Sequence, residues 1–165
     1  MLKLDAMRRL ILTACPRLQA APGQVVVMAE GGRVQATGTD ALSFELHYHA
    51  CAWVLGLAEH PDTLIVPLLA WHRLQQPEHY AQGQPGDAFT FEAQPLDDTE
   101  GIDLYFRLRM SERVIVRQDV GTGQVTAAHH APEPGPLGFG SKPERWAVDL
   151  RHPDGTRQRL AEFDG

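Results

Sequence analysis

The segment from Leu42 to Pro77, LSFELHYHACAWVLGLAEHPDTLIVPLLAWHRLQQP, constrains the fold most, because its hydrophobic period changes abruptly from two to about 3.6. From Ser43 to about Leu57, Phe44, Leu46, Tyr48, Ala50, Ala52 and Val54 alternate with Glu45, His47, His49, Cys51 and Trp53. That is one long strand, apolar on both faces toward its end. His60-Pro61-Asp62 then stops it. Asp62 is expected to N-cap a helix whose buried side is Leu64, Ile65, Leu68, Leu69 and Trp71, with Pro67 near the first turn, where it removes at most one internal hydrogen bond. Gln76-Pro77 ends the helix.

The rest of the chain divides by the same logic. Leu4, Met7, Leu10, Ile11, Ala14 and Leu18 recur at helical spacing, predicting an amphipathic helix over residues 3–20 that breaks or tightens at Pro16. Val25 to Met28 and Arg33 to Ala36 flank Glu30-Gly31-Gly32, and paired glycines supply the positive φ of a tight turn, so a short hairpin is expected. After a polar loop reaching Asp87, three strands follow. Phe89 to Gln94 alternate, Ile102 to Met110 present five inward positions, and Val114 to Gln118 close the core. Beyond Asp119, GTGQVTAAHHAPEPGPLGFGSKP has no periodicity and reads as a linker or arm. Trp146, Val148 and Leu150 alternate again, and HPDG turns into Arg157 to Phe163, a terminal hairpin too small for its own core. The expected organisation is a domain over 1–119, an arm over 120–143 and a hairpin over 144–165. The expected fold class is α+β: an antiparallel or mixed sheet of about five strands, two helices on one face, and a C-terminal arm with a small β-hairpin.

Composition excludes several classes. The 165 residues are 43% hydrophobic and 22% charged, ordinary for a globular chain. No apolar run reaches the roughly 18 residues of a spanning helix. Asp5, Arg8 and Arg9 interrupt the N-terminal apolar stretch, so secretory export is not expected. A net charge of −6 with Lys3 and Lys142 the only lysines argues against a nucleic-acid-binding role, because phosphate neutralisation needs clustered Lys and Arg. Cys15 and Cys51 lack any paired spacing and read as reduced buried thiols.

Chemical sites are weighed against simpler readings. His47, His49 and Cys51, with Glu45 beside them, share one strand face and could form a metal- or ligand-binding face. Same-face neighbours, however, sit about 7 Å apart along a strand, too far to converge readily on one ion. His129-His130 has only Glu133 nearby and reads as exposed linker. Ser43, Ser111 and Ser141 lack a nucleophile-elbow setting, and Asp97, Asp98 and Glu100 read as a solvated turn. Gly121-Thr122-Gly123 opens no helix that could hold phosphate. No catalytic residue, cofactor or metal is assigned. Arg107, Arg109, Arg113 and Arg117 alternate and are expected to form a basic outer face over two neighbouring strands.

The opening Met1-Leu2-Lys3-Leu4-Asp5, the LSFELHYH strand, the Asp62-to-Gln76 segment with its PLLAW core, and Phe91-Glu92-Ala93 followed by LDD and SERVIV occur in a characteristic order. In that order and spacing the chain resembles the tail completion protein R family of temperate, contractile-tailed bacteriophages, over roughly its first two-thirds. His47, His49 and the Gly/Pro arm depart from the simplest family pattern. The resemblance implies a structural virion protein similar to tail terminators: a homohexameric ring at the head-proximal end of the tail. Its implied partners are tail tube and sheath proteins and head completion or neck proteins, with DNA passing through the lumen and no membrane. It implies location in the virion tail or neck, and in host cytoplasm during assembly. The expected interface residues are Trp146, Val148, Leu150 and Phe163, apolar residues on an appendage that needs a partner, together with Arg107 and Arg109.

Overall fold

The computed structural model describes residues 1–38, 42–80, 86–96, 101–130 and 145–164. Three helices form where the apolar spacing places them. Helix α1 (Leu2–Ala14) buries Met7, Ile11 and Ala14, one stripe of its surface. The residue before a proline is pushed out of the helical region. Cys15 accordingly adopts φ −130°, ψ 101°, ending α1, and Pro16 starts the short α2 (Pro16–Ala20), which buries Leu18.

Helix α3 (Asp62–Gln75) starts differently from expectation. Pro61 is its N-cap, and Asp62 is the first helical residue with no capping hydrogen bond from its side chain. The Asp62 N–H instead donates to His60 Nδ1 at 3.2 Å, so the upstream histidine does the capping. The Asp62 carboxylate still lies in the first turn, on the favourable side of the helix dipole.

Five strands make the main sheet: β1 (Val25–Ala36), β2 (Phe44–Leu57), β3 (Phe89–Pro95), β4 (Ile102–Gln118) and β5 (Val125–His129). The order is β1-β2-β4-β3, with β5 also pairing β4, and every pairing is antiparallel. The hairpin expected at Gly31-Gly32 is a bulge within one strand. Both halves of β1 pair with β2, from Val25 opposite Val54 to Ala36 opposite Phe44, and the register shifts between Glu30 and Arg33. Gly31, at φ 60°, provides the positive φ that such a bulge demands as readily as a turn does. Likewise the runs expected as separate strands at 102–110 and 114–118 are one 17-residue strand. Val125–His129, inside the stretch expected as linker, pairs with β4 as β5.

The inner sheet face carries Tyr48, Ala50, Ala52, Val54, Leu104, Phe106, Leu108 and Met110, all buried against Met7, Ile11, Leu18, Leu64 and Leu68 of the helices. Strands β6 (Arg145–Arg151) and β7 (Arg157–Asp164) form the C-terminal hairpin. It lies on α1 and α3. Val148 and Ala161 join the same core at 6% and 7% exposure, so the helices are covered on both sides.

Candidate interaction surface

The edge of β4 away from β2 is shared by β3 and β5, with a gap at Ser111. Arg109 N–H donates to Ala88 O at 2.8 Å on one side of it, and His130 N–H to Arg113 O at 2.9 Å on the other. The Gln76 side chain, 2% exposed, closes the gap. Its Oε1 accepts from Ser111 N–H, and its Nε2 donates to Ser111 O at 3.1 Å, as a strand residue would. Lys3 Nζ adds a bond to the same carbonyl at 2.8 Å. Burial lowers the pKa of that ammonium, while the nearby Glu112, Glu78 and Glu45 carboxylates oppose the shift.

His72, fully buried, locks the neighbouring turn. Its Nε2 lies 2.8 Å from Arg109 O, and because a carbonyl only accepts, Nε2 carries the proton. Nδ1 must then accept from the Tyr80 hydroxyl at 2.6 Å. Burial holds this imidazole's pKa at about 4, and the 3-10 turn Pro77–Tyr80 is thereby fixed beside Arg109.

The outward face of the sheet has two halves, read along rows of register partners. Toward one end, Val26, Trp53 and Tyr105 stand side by side, with Met28 and Leu55 adjacent. Val26, Met28, Trp53 and Leu55 are each 40–43% exposed, and the Trp53 and Tyr105 rings lie 4.4 Å apart. The other half is charged. Arg107, Arg109, Arg113 and Arg117 all project outward, from one strand rather than the expected two. Between the β1 bulge and the Pro77–Tyr80 turn opens a cleft of about 490 Å³ lined by Arg33, Glu45, His47, His49, His79 and Arg109, among others. Arg109 also reaches Asp87 at 3.6 Å.

The same-face trio does not assemble into a ligand set. His47 Nε2 lies 3.4 Å from Glu45 Oε2, while His49 Nδ1 faces Arg107 at 3.4 Å. Burial, then the Arg107 and Arg109 charges, lower the His49 pKa. Cys51 is fully buried, and that burial raises its thiol pKa. Among the described residues no three His, Cys, Asp or Glu side chains are placed to hold a metal.

His129, expected in exposed linker, lies on β5 and contacts Glu112 Oε2 at 2.9 Å. Glu112 is 4% exposed and also accepts from the Tyr48 hydroxyl. Sequence reasoning missed this cluster, although Glu112 continues the inward parity of Leu104 to Met110 and could have been found as an acid at a core position. Asp97, Asp98, Glu100 and Ser141 lie outside the described residues. So do the side chains of Trp146 and Phe163. Leu150 is half-buried on the hairpin, and Val148 is turned into the chain's own core.

Fold and surface together define an α+β domain in which, among the described residues, one sheet face is left open, part apolar and part basic, the kind of surface that interaction proteins present. The family model for P2 phage tail completion protein R (GpR) matches residues 1–134. Tail completion protein R of Escherichia phage P2 is 32% identical over 139 residues, covering 83% of this chain and 88% of that protein. The chain belongs to the tail completion protein R family. No solved structure matches it. The β6–β7 hairpin lies beyond the residues that the family model matches.

Proposed function

We propose that this chain is a structural virion protein that completes the phage tail. Six copies close into a ring at the head-proximal end of a contractile tail, cover the last tube and sheath subunits, and offer the head's neck proteins a docking surface. The observation that carries this reading is the family match across residues 1–134, which includes every strand of the open sheet. Heterologous contacts that close on themselves build such a ring from one kind of interface.

The mechanism is binding energy distributed over surfaces rather than catalysis. Arg107 and Arg109, exposed on the outer face, either meet carboxylates of a neighbouring subunit or line the lumen, where they contact passing DNA through phosphate without reading sequence. The hairpin contributes to partner contacts through Trp146, Leu150 and Phe163. Val148, the fourth residue expected there, supports that contact from within. The protein works in the tail or neck of the virion after assembly in host cytoplasm, and no helix among the described residues is long and apolar enough to cross a membrane.

Tails assembled without this protein should be aberrantly long or fail to join heads, as seen by negative-stain microscopy, and the supplied protein should restore both. Tails of normal length that join heads in its absence would sink the proposal.

A further inference from the structure

Among the described residues the main sheet's path ends at β1 on one edge and β3 on the other. A long, uncharged, apolar edge strand is a template for pairing with another chain, and soluble proteins normally blunt such edges with lysine, proline or short length. The first half of β1, Val25-Val26-Val27-Met28-Ala29, has none of these, and its only charges, Glu30 and Arg33, flank the bulge. Val26 and Met28 are 43% and 41% exposed. At the opposite edge Phe91 of β3 is 53% exposed although it shares a row with Phe106 of the core. Both edges are unpaired among the described strands; the first half of β1 is apolar, while β3 presents Phe91 beside Glu92 and ends at Pro95.

Their directions are also complementary. β1, β2, β4 and β3 alternate strictly, so β3 runs opposite to β1. When a second copy is set beside the first in the same orientation, its β3 meets β1 as one more antiparallel neighbour, and inward residues remain inward. Rows read across the sheet give the register. Met28 shares a row with Cys51, Arg107 and Thr90, and Val27 shares one with Ala52, Phe106 and Phe91. An unstaggered join thus sets Met28 beside Thr90 of the partner subunit on the outer face and Val27 beside Phe91 of the partner subunit on the inner face.

We infer that copies of this chain associate head to tail by pairing β1 of one with β3 of the next, extending the antiparallel sheet from subunit to subunit. The inference rests on the self-assembling reading above and names the contact by which it occurs. Each subunit uses one edge as donor and the other as acceptor, so a chain of such contacts either closes into a ring or continues as a filament. The apolar and basic outer faces then become a continuous wall.

The test is cysteine cross-linking of the full chain. Met28→Cys with Thr90→Cys places two thiols on the exposed outer face, while native Cys15 and Cys51, at 1% and 0% exposure, stay protected. Within one chain the two sites lie three strand spacings apart, about 14 Å, beyond the reach of a short bismaleimide. The double variant should give a ladder of trimers and larger species, and Met28→Cys alone should give none. Phe91→Lys, at an exposed position, should weaken self-association at least tenfold in sedimentation with its circular dichroism unchanged. Dimers from Met28→Cys alone mean two-fold β1–β1 pairing and overturn the inference. A closed oligomer of the wild-type chain without a ladder leaves the ring standing and removes this contact; a wild-type monomer at every concentration without a ladder removes both.

Discussion

Acidification should destabilise this fold through His72. In the folded protein the imidazole is fully buried, donates from Nε2 to Arg109 O, accepts on Nδ1 from Tyr80, and has its pKa lowered from 6.5 to about 4, chiefly by burial. Between those values the unfolded chain binds a proton that the folded chain refuses, so stability rises with pH across that window. The contribution is complete above pH 6.5 and is lost as pH falls toward 4. At about 1.36 kcal/mol per pH unit, the fall from 6.5 to about 4 is worth about 3 kcal/mol. Full burial means that solvent screening does not reduce this appreciably. Urea unfolding followed by tryptophan fluorescence, at a series of pH values from 7.5 to about 4, provides the assay. His72→Gln removes the titration while retaining an amide that can donate to Arg109 O. The stability difference between wild type and variant should therefore shrink by about 3 kcal/mol over the window. His49, whose pKa burial also lowers, titrates in both proteins and cancels in that difference. A difference that stays constant with pH would refute the argument.

Other perturbations follow from the same contacts. Gln76→Ala strands the Ser111 N–H at the gap in the β4 edge, leaves the Ser111 carbonyl to Lys3 Nζ, and should cost about 1–3 kcal/mol, measurable by urea unfolding. Glu112→Ala leaves the Tyr48 hydroxyl without its acceptor and frees His129, so amides of Val125–His129 should exchange hydrogen faster while those of β2 change little. Arg107→Glu with Arg109→Glu, both at exposed positions, should shift stability by no more than about 0.5 kcal/mol yet impair tail completion; unchanged infectivity would remove these arginines from the interface.

The parts of this fold legible in the sequence are those set by local period. Alternation along residues 44–54 and 102–110 correctly separated inner from outer faces, because a half-buried strand must repeat every two residues, whereas a register shift after Val54 turns Leu57 into the core against that parity. The misreadings have non-local causes. Gly31-Gly32 satisfies a turn and a bulge equally, and only the 14-residue β2, long enough to pair with both halves of β1, decides for the bulge. Ser111-Glu112-Arg113 looks like a polar interruption, yet β4 runs through it because Tyr48 from β2 and His129 from β5 supply partners for the buried carboxylate. The Ser111 backbone is satisfied by a glutamine at the end of α3, which no pattern around Ser111 announces. The outer face was less legible because its apolar residues are spread over separate strands and become neighbours only through register. Val26, Trp53 and Tyr105 form such a row.

The C-terminal hairpin separates two roles that the sequence left joined. Apolar residues on a small appendage need a partner, and the chain's own helices supply one for Val148, at 6% exposure in the common core. Val148→Ala removes two buried methyl groups and leaves a small cavity, which should cost about 2 kcal/mol of monomer stability. Leu150, half-buried, has less to lose inside the chain and more surface to offer a partner. Leu150→Ala should therefore change the urea midpoint less than Val148→Ala, and impair assembly more than its loss of stability explains. The comparison is internal, since both residues lie on β6 and are measured by the same unfolding curve and the same complementation of tails. If Val148→Ala left stability unchanged and abolished assembly, the hairpin would be facing a partner subunit instead of α1 and α3.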